Sequence, residues 1–240
     1  MKNILVKSLF EIQDTNWHIK DRSHETDLYK KYVEMHQLSL GSFTKFLKGD
    51  WEFKFISGRV QNVNEAFQKT FHAIYDLWRQ GDTTILYTDP DTMCIRDINP
   101  WGLSDHFMMF NFTDPKSFNS PNRYNRKFDY FFNAGVRLFP AGMQQKIWDT
   151  GLEMAKDWDS NTYDTEQIIL NSMLWDQGLT LDQVLRPEWS YQAQWLPDRV
   201  PVWHQNLWNG INIYNSNIVH THSSRDIDKK LQLMKNLVQP

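Results

Sequence analysis

Two carboxylates one residue apart, Asp89 and Asp91, follow the apolar run Ile85-Leu86-Tyr87. Alternate residues of an extended segment point to the same side, so both side chains can reach one hard divalent cation, which takes oxygen ligands. Pro90 between them cannot donate to a sheet ladder, so a strand ending there would hold the acids at its mouth. Open α/β sheets bind their ligands at that end. The competing structural account is a turn at a strand end, with Asp91 capping the next segment.

Three further groups carry chemistry. His220 and His222 would share one face of an extended segment; either imidazole would complete a metal's coordination sphere while the other contacts a phosphate or carbonyl. Glu166 and Gln167 stand beside Asp164, and the spacing of Asp164 and Gln167 fits a helix capping box, which leaves Glu166 to face a polar acceptor. The aromatic residues between Trp189 and Trp208 read as a hydrophobic mini-core or as a wall on which a sugar stacks.

The elements that must position these groups follow from patterning. Residues 1–10 read as a first strand, residues 25–46 as a helix, and residues 51–56, which alternate, as a second strand. Residues 64–80 form an amphipathic helix, with Asn64 as cap, Phe67, Phe71, Ile74 and Trp78 inward, and Gly81 as stop. It feeds a strand over 83–87 that ends in the acidic pair, a βαβ arrangement with a right-handed crossover. Strands are also expected over 106–112, 131–139 and 218–222, with a surface loop over 114–126. Helices are expected from Pro140-Ala141-Gly142 to Trp158, from Asp164 toward Gly178, and after the Ser223/Asp226 capping box, with Ile227, Leu231 and Met234 inward.

At 240 residues the chain can bury one substantial α/β core, and no repeat or low-complexity tract divides it. A net charge of -3 gives no electrostatic footprint for nucleic acid. The single cysteine, Cys94, rules out an intramolecular disulfide and a cysteine-based zinc cluster, and reads as a small core residue. No stretch reads as a signal peptide or membrane span, and intracellular, cytoplasmic residence is expected.

The order of the motifs resembles the GT-A-fold glycosyltransferases, most of all the retaining, glycogenin-like family 8. The resemblance rests on Ile85 to Asp91, then Phe132-Asn133-Ala134-Gly135-Val136, then Glu166-Gln167-Ile168-Ile169-Leu170-Asn171, then a late histidine. It implies a single Rossmann-like mixed central sheet flanked by helices over residues 1–240, with a nucleotide-binding half (1–112) and an acceptor-side half (113–240). Asp89 and Asp91 would bind Mn²⁺ or Mg²⁺ and, through it, the diphosphate of a nucleotide sugar, UDP being the implied nucleotide. Asn133, Ala134 and Gly135 would line the cleft. Gln167 would lie near the anomeric carbon and Glu166 at the donor-sugar hydroxyls, with Ile168 where the family has a second acid. His222, over His220, would be the metal ligand. The family's closing His-x-x-Gly-x-x-Lys-Pro-Trp lacks its Gly and Lys-Pro-Trp here, so Lys229 or Lys230 would replace the phosphate-binding lysine.

The implied partners are a nucleotide sugar and a carbohydrate or other hydroxyl acceptor. Two other readings compete. Haloacid-dehalogenase-like phosphatases also follow apolar residues with Asp-x-Asp, but their pattern wants Thr or Val where this chain has Met93. A carbohydrate- or nucleotide-sugar-binding protein that keeps the fold without turnover is the non-enzyme alternative.

Overall fold

A computed structural model describes residues 1–13, 27–113, 124, 126–128, 130–158, 165–184, 190–192, 216–221 and 227–238. Its centre is a five-stranded sheet of β1 (Lys2–Ile12), β2 (Glu52–Val60), β3 (Thr83–Thr88), β5 (Met108–Thr113) and β6 (Phe131–Phe139), in the order β2-β1-β3-β6-β5. β1 runs parallel to β2 and β3, whereas β6 is antiparallel to β3 and β5. A three-stranded sheet, in the order β4-β8-β7, joins β4 (Thr92–Cys94) to β8 (Ile218–His220) and β7 (Ser190–Gln192).

Strand parity sends side chains to two helical layers. Ile4 and Val6 of β1 and Ile85 and Tyr87 of β3 pack with α2 (Val63–Trp78), α3 (Gln145–Ala155) and α4 (Thr165–Trp175), around Phe71, Trp78, Trp148 and Leu170. On the other face Leu5, Leu86, Val136 and Leu138 meet Phe43 and Leu47 at the end of α1 (Leu28–Phe46). A short helix α5 (Leu181–Val184) follows α4. The last helix, α6 (Ile227–Val238), lies against α1 through Met35, Met93, Ile227, Leu231 and Met234.

The mixed, helix-flanked sheet is the architecture expected from the sequence, with local differences. Helix α2 starts earlier than expected because Asn62, not Asn64, is its cap: the Asn62 side chain accepts from Glu65 N at 3.0 Å, and the Glu65 carboxylate accepts from Gln61 N at 2.7 Å. Helix α3 starts at Gln145, not at Pro140. The Pro140 carbonyl is taken by Met143 N at 3.1 Å and by the Trp78 indole at 2.9 Å, which holds residues 140–143 in a turn. Cys94 is buried, as expected. Asp164, Ser223 and Asp226 lie outside the described residues, as do Trp189, Trp195, Trp203 and Trp208. Among the described residues no helix is long and apolar enough to cross a membrane.

Candidate active site

β3 ends at Thr88, so Asp89 stands at the carboxyl end of a central strand. The Asp89 amide donates to the Gly135 carbonyl at 2.8 Å, which carries the β3–β6 pairing one step beyond the strand. The chain then turns: Thr92 Oγ1 donates to the Asp89 carbonyl at 2.7 Å, and β4 begins. β4 pairs antiparallel with β8 in a register that sets Thr92 opposite His220. That register brings an imidazole from 129 residues away to the acidic pair.

His220 Nε2 lies 3.2 Å from Asp91 Oδ1 and 3.8 Å from Asp89 Oδ2. Asp89, Asp91 and His220 each present a ligand atom, all within 4.8 Å of one another. Two carboxylate oxygens and an imidazole nitrogen form a donor set that could hold a divalent metal ion. The space for the imidazole is made by Gly135: a Cβ there would come within 2.3 Å of His220 Cε1 and 2.9 Å of Asn133 Oδ1. The donor set and this cradle fit a divalent ion. Asp89 is the more open of the two acids, 28% exposed against 8% for Asp91 by side chain. The Asp91 main chain is pinned independently, its carbonyl accepting both the amide and the hydroxyl of Thr221 at 2.9 Å.

Of the two histidines, then, the structure puts His220 beside the acids; His222, the one the resemblance singled out, lies outside the described residues. The two lysines also part. Lys229 is exposed on α6, whereas Lys230 is buried with Nζ 2.6 Å from Asp91 Oδ2. Burial pulls the Lys230 ammonium toward deprotonation, but Asp91, Tyr32 and Asp89 together more than offset it and raise the pKa above the usual lysine value.

The second half of the site comes from β6 and α4. Asn133, Ala134 and Gly135 follow one another on β6, and Asn133 Oδ1 accepts from Gly135 N at 2.8 Å. Asn133 Nδ2 donates to Gln167 Oε1 at 3.1 Å, tying the strand to the first turn of α4. One turn on, Asn171 brackets Phe132: its Oδ1 accepts from the Phe132 amide and its Nδ2 donates to the Phe132 carbonyl, both at 2.8 Å. Glu166 faces inward and is 4% exposed. Its Oε1 accepts from Arg137 Nη2 at 2.7 Å, and the guanidinium lies 4.0 Å over the Tyr87 ring. Burial raises the Glu166 carboxyl above the ordinary range, against the opposing pull of Arg137.

Sequence reasoning passed over Lys7 and Arg137. Each is a cation directly beside apolar strand residues, Ile4-Leu5-Val6-Lys7 and Val136-Arg137-Leu138, and a buried charge needs a partner. That was the available signal. Register supplies the rest, since Arg137 pairs with Tyr87 across β3 and β6. Lys7 donates to Ser39 Oγ and Thr88 Oγ1, both at 2.6 Å, and to the Asp89 carbonyl at 3.3 Å. Ser39 in turn donates to the Thr92 carbonyl, so the Lys7–Ser39 pair holds both ends of the 89–92 turn, the Thr92 end through a buried hydrogen bond.

Burial lowers the Lys7 pKa to about 7 from the ordinary 10.5. Between those two values the unfolded chain holds the proton and the folded chain does not, so Lys7 makes stability rise with pH across that window; below it both states are charged. Lys7→Met should remove this dependence. In urea unfolding, the wild-type advantage should grow with pH above neutrality by up to roughly 1.4 kcal/mol per unit. Parallel pH curves for the two chains would show that Lys7 does not titrate there.

No family model matches the chain, and no curated protein matches its sequence. Solved structures do. The galactosyltransferase LgtC in complex with donor and acceptor sugar analogs is 14% identical over 99% of this chain and 97% of that one, with a TM-score of 0.50. The apo bifunctional glycosyltransferase WbbM is 12% identical over 99% of this chain, which spans half of that longer one, with a TM-score of 0.53. Likeness at such low identity speaks to architecture. With its mixed five-stranded sheet and flanking helices, the chain has the fold of the GT-A glycosyltransferases.

Proposed function

We propose that this chain is a divalent-metal-dependent glycosyltransferase that moves a sugar from a nucleoside-diphosphate donor, UDP-linked, to a hydroxyl acceptor with retention of configuration. The observation that carries the reading is the convergence of Asp89, Asp91 and His220 at the carboxyl end of a central strand of a GT-A fold. A bound Mn²⁺ or Mg²⁺ would supply positive charge to the departing diphosphate, the largest demand of substitution at an anomeric carbon.

The chain's own groups have distinct tasks. Asp91 and His220 sit behind and fix the geometry, while Asp89, more open, faces the mouth. Gln167 is oriented by Asn133 and in this reading lies nearest the anomeric carbon, with Asn133, Ala134 and Gly135 as the cleft wall beside it. Glu166 follows from its surroundings as a positioning residue: its carboxylate is engaged by Arg137 beneath the cleft wall. An inverting transferase needs a carboxylate base at the acceptor. The sequence offers Glu166 or Asp164 for that role; recruiting Glu166 would break a buried ion pair, which weighs against it, and Asp164 lies outside the described residues.

The test is a panel of nucleotide sugars with Mn²⁺, following nucleoside diphosphate release and, with an acceptor, the product anomer by NMR. Mn²⁺-dependent release from a UDP-sugar and an anomer matching the donor are expected. An inverted anomer would sink the retaining mechanism, and a flat response to every donor would sink the transferase.

A further inference from the structure

Among the described residues, the two oxygens of Asp91 face different neighbours. Oδ1 faces His220 Nε2 at 3.2 Å, and Oδ2 is held by Lys230 Nζ at 2.6 Å. A divalent ion bound by Asp89, Asp91 and His220 would therefore share one carboxylate with an ammonium in direct contact with it. Both groups are nearly closed to solvent, with side chains 8% and 10% exposed, so water screens the repulsion between the two cations weakly.

We propose that Lys230 is a tethered competitor of the divalent ion: the ammonium holds Asp91 when the ion is absent and is displaced from it when the ion binds. This rests on the ion site of the proposed function. The helix that carries Lys230 does not depend on this contact. α6 is fastened to α1 by Lys31–Asp228 at 2.8 Å, by Lys235–Glu34 at 2.7 Å and by the apolar contacts of Leu231 and Met234 with Met35. What moves is the side chain, a four-carbon stem with a rotatable ammonium. The exchange keeps Asp91 beside a counter-charge throughout: its carboxylate meets an internal cation before the ion arrives and the ion afterwards. It also sets the ion's affinity below what the three ligands alone would give, because apparent affinity falls with the fraction of chains whose site is open.

Two measurements test this, neither of which needs a donor sugar. Mn²⁺ alone is titrated into wild type and Lys230→Met, with free Mn²⁺ read by electron paramagnetic resonance. The variant should bind roughly tenfold tighter or better; equal or weaker binding by a folded variant overturns the proposal. In the wild-type chain, acetic anhydride labelling read by mass spectrometry reports Lys230 directly, with exposed Lys229 as reference. Labelling of Lys230 relative to Lys229 should rise severalfold when Mn²⁺ is added, and an unchanged or reduced ratio overturns the exchange even if the variant fails to fold. If neither chain binds Mn²⁺, the exchange and the metal dependence both fail, and the donor panel run without metal then judges whether transfer occurs at all. Tighter binding by Lys230→Met with no turnover of any nucleotide sugar leaves the exchange standing and removes the transferase.

Discussion

Asp91→Asn is expected to abolish Mn²⁺-dependent transfer, lowering turnover on the order of 10³-fold, the scale seen when a preorganised electrostatic group is removed from an active site. Among the described residues the carboxylate meets His220 Nε2 and Lys230 Nζ, and it would be a ligand of the ion. An amide keeps the shape but loses the negative charge and one acceptor oxygen, and it leaves the Lys230 ammonium without its counter-charge. The main chain should stay in place, because the two hydrogen bonds from Thr221 fall on the Asp91 carbonyl and not on the side chain. The loss should therefore appear in Mn²⁺ affinity and turnover while circular dichroism stays native. A folded Asp91→Asn chain that binds Mn²⁺ as wild type does would remove Asp91 from the ligand set.

Arg137→Met should have the largest effect on stability, about 3–5 kcal/mol, as expected for breaking a buried ion pair from one side. Arg137 is 1% exposed and Glu166 4%, so the stranded carboxylate has no water to turn to. The guanidinium also loses its place over Tyr87, with its cation–π contribution. Two controls give the prediction its sign. Burial already raises the Glu166 carboxyl, and losing Arg137 raises it further. A carboxyl whose folded pKa is raised is stabilised while protonated and loses that stability as the pH climbs through it, so the deficit should shrink as the pH falls toward the ordinary carboxylate range. Adding Glu166→Leu should recover most of the loss, since replacing both partners of such a pair by apolar groups is often neutral. Urea midpoints for the single and double variants decide it. A single variant within 1 kcal/mol of wild type, on the scale of an ordinary surface change, would mean that the pair contributes little.

What could be read from the chain beforehand divides along physical lines. Strands and helices were legible where one local rule governed them: β3 as an apolar run ended by Pro90, β6 as the run from Phe131 to Phe139 with Gly135 within it, α2 by its apolar stripe. Asp89 and Asp91 were legible because their spacing is local. The partners were not, because pairing decides them. Nothing in the sequence states that Thr92 pairs with His220, so the imidazole beside the acids could not be told from its neighbour two residues on. Lys229 and Lys230 are adjacent in sequence, and only the direction in which α6 meets α1 turns one to solvent and the other to Asp91. Cap positions failed for a similar reason: Asn62 and Asn64 are both good caps by type, and the first helical turn went to the one whose Glu65 could answer it.

The strands that hold His220 to the acidic pair are three residues long on each side, yet they join positions 129 residues apart. On a ribosome adding 5–20 residues per second, Asp91 would wait roughly 6–26 s for its imidazole to be made. A short pairing at such separation supplies little contact energy against its loop-closure cost, so it is expected to form after the five-stranded sheet and to open before it, an order that hydrogen exchange at Thr92–Cys94 against Thr83–Thr88 would check. The cation site is thereby a late product of folding, and a ligand that binds it draws the far end of the chain home.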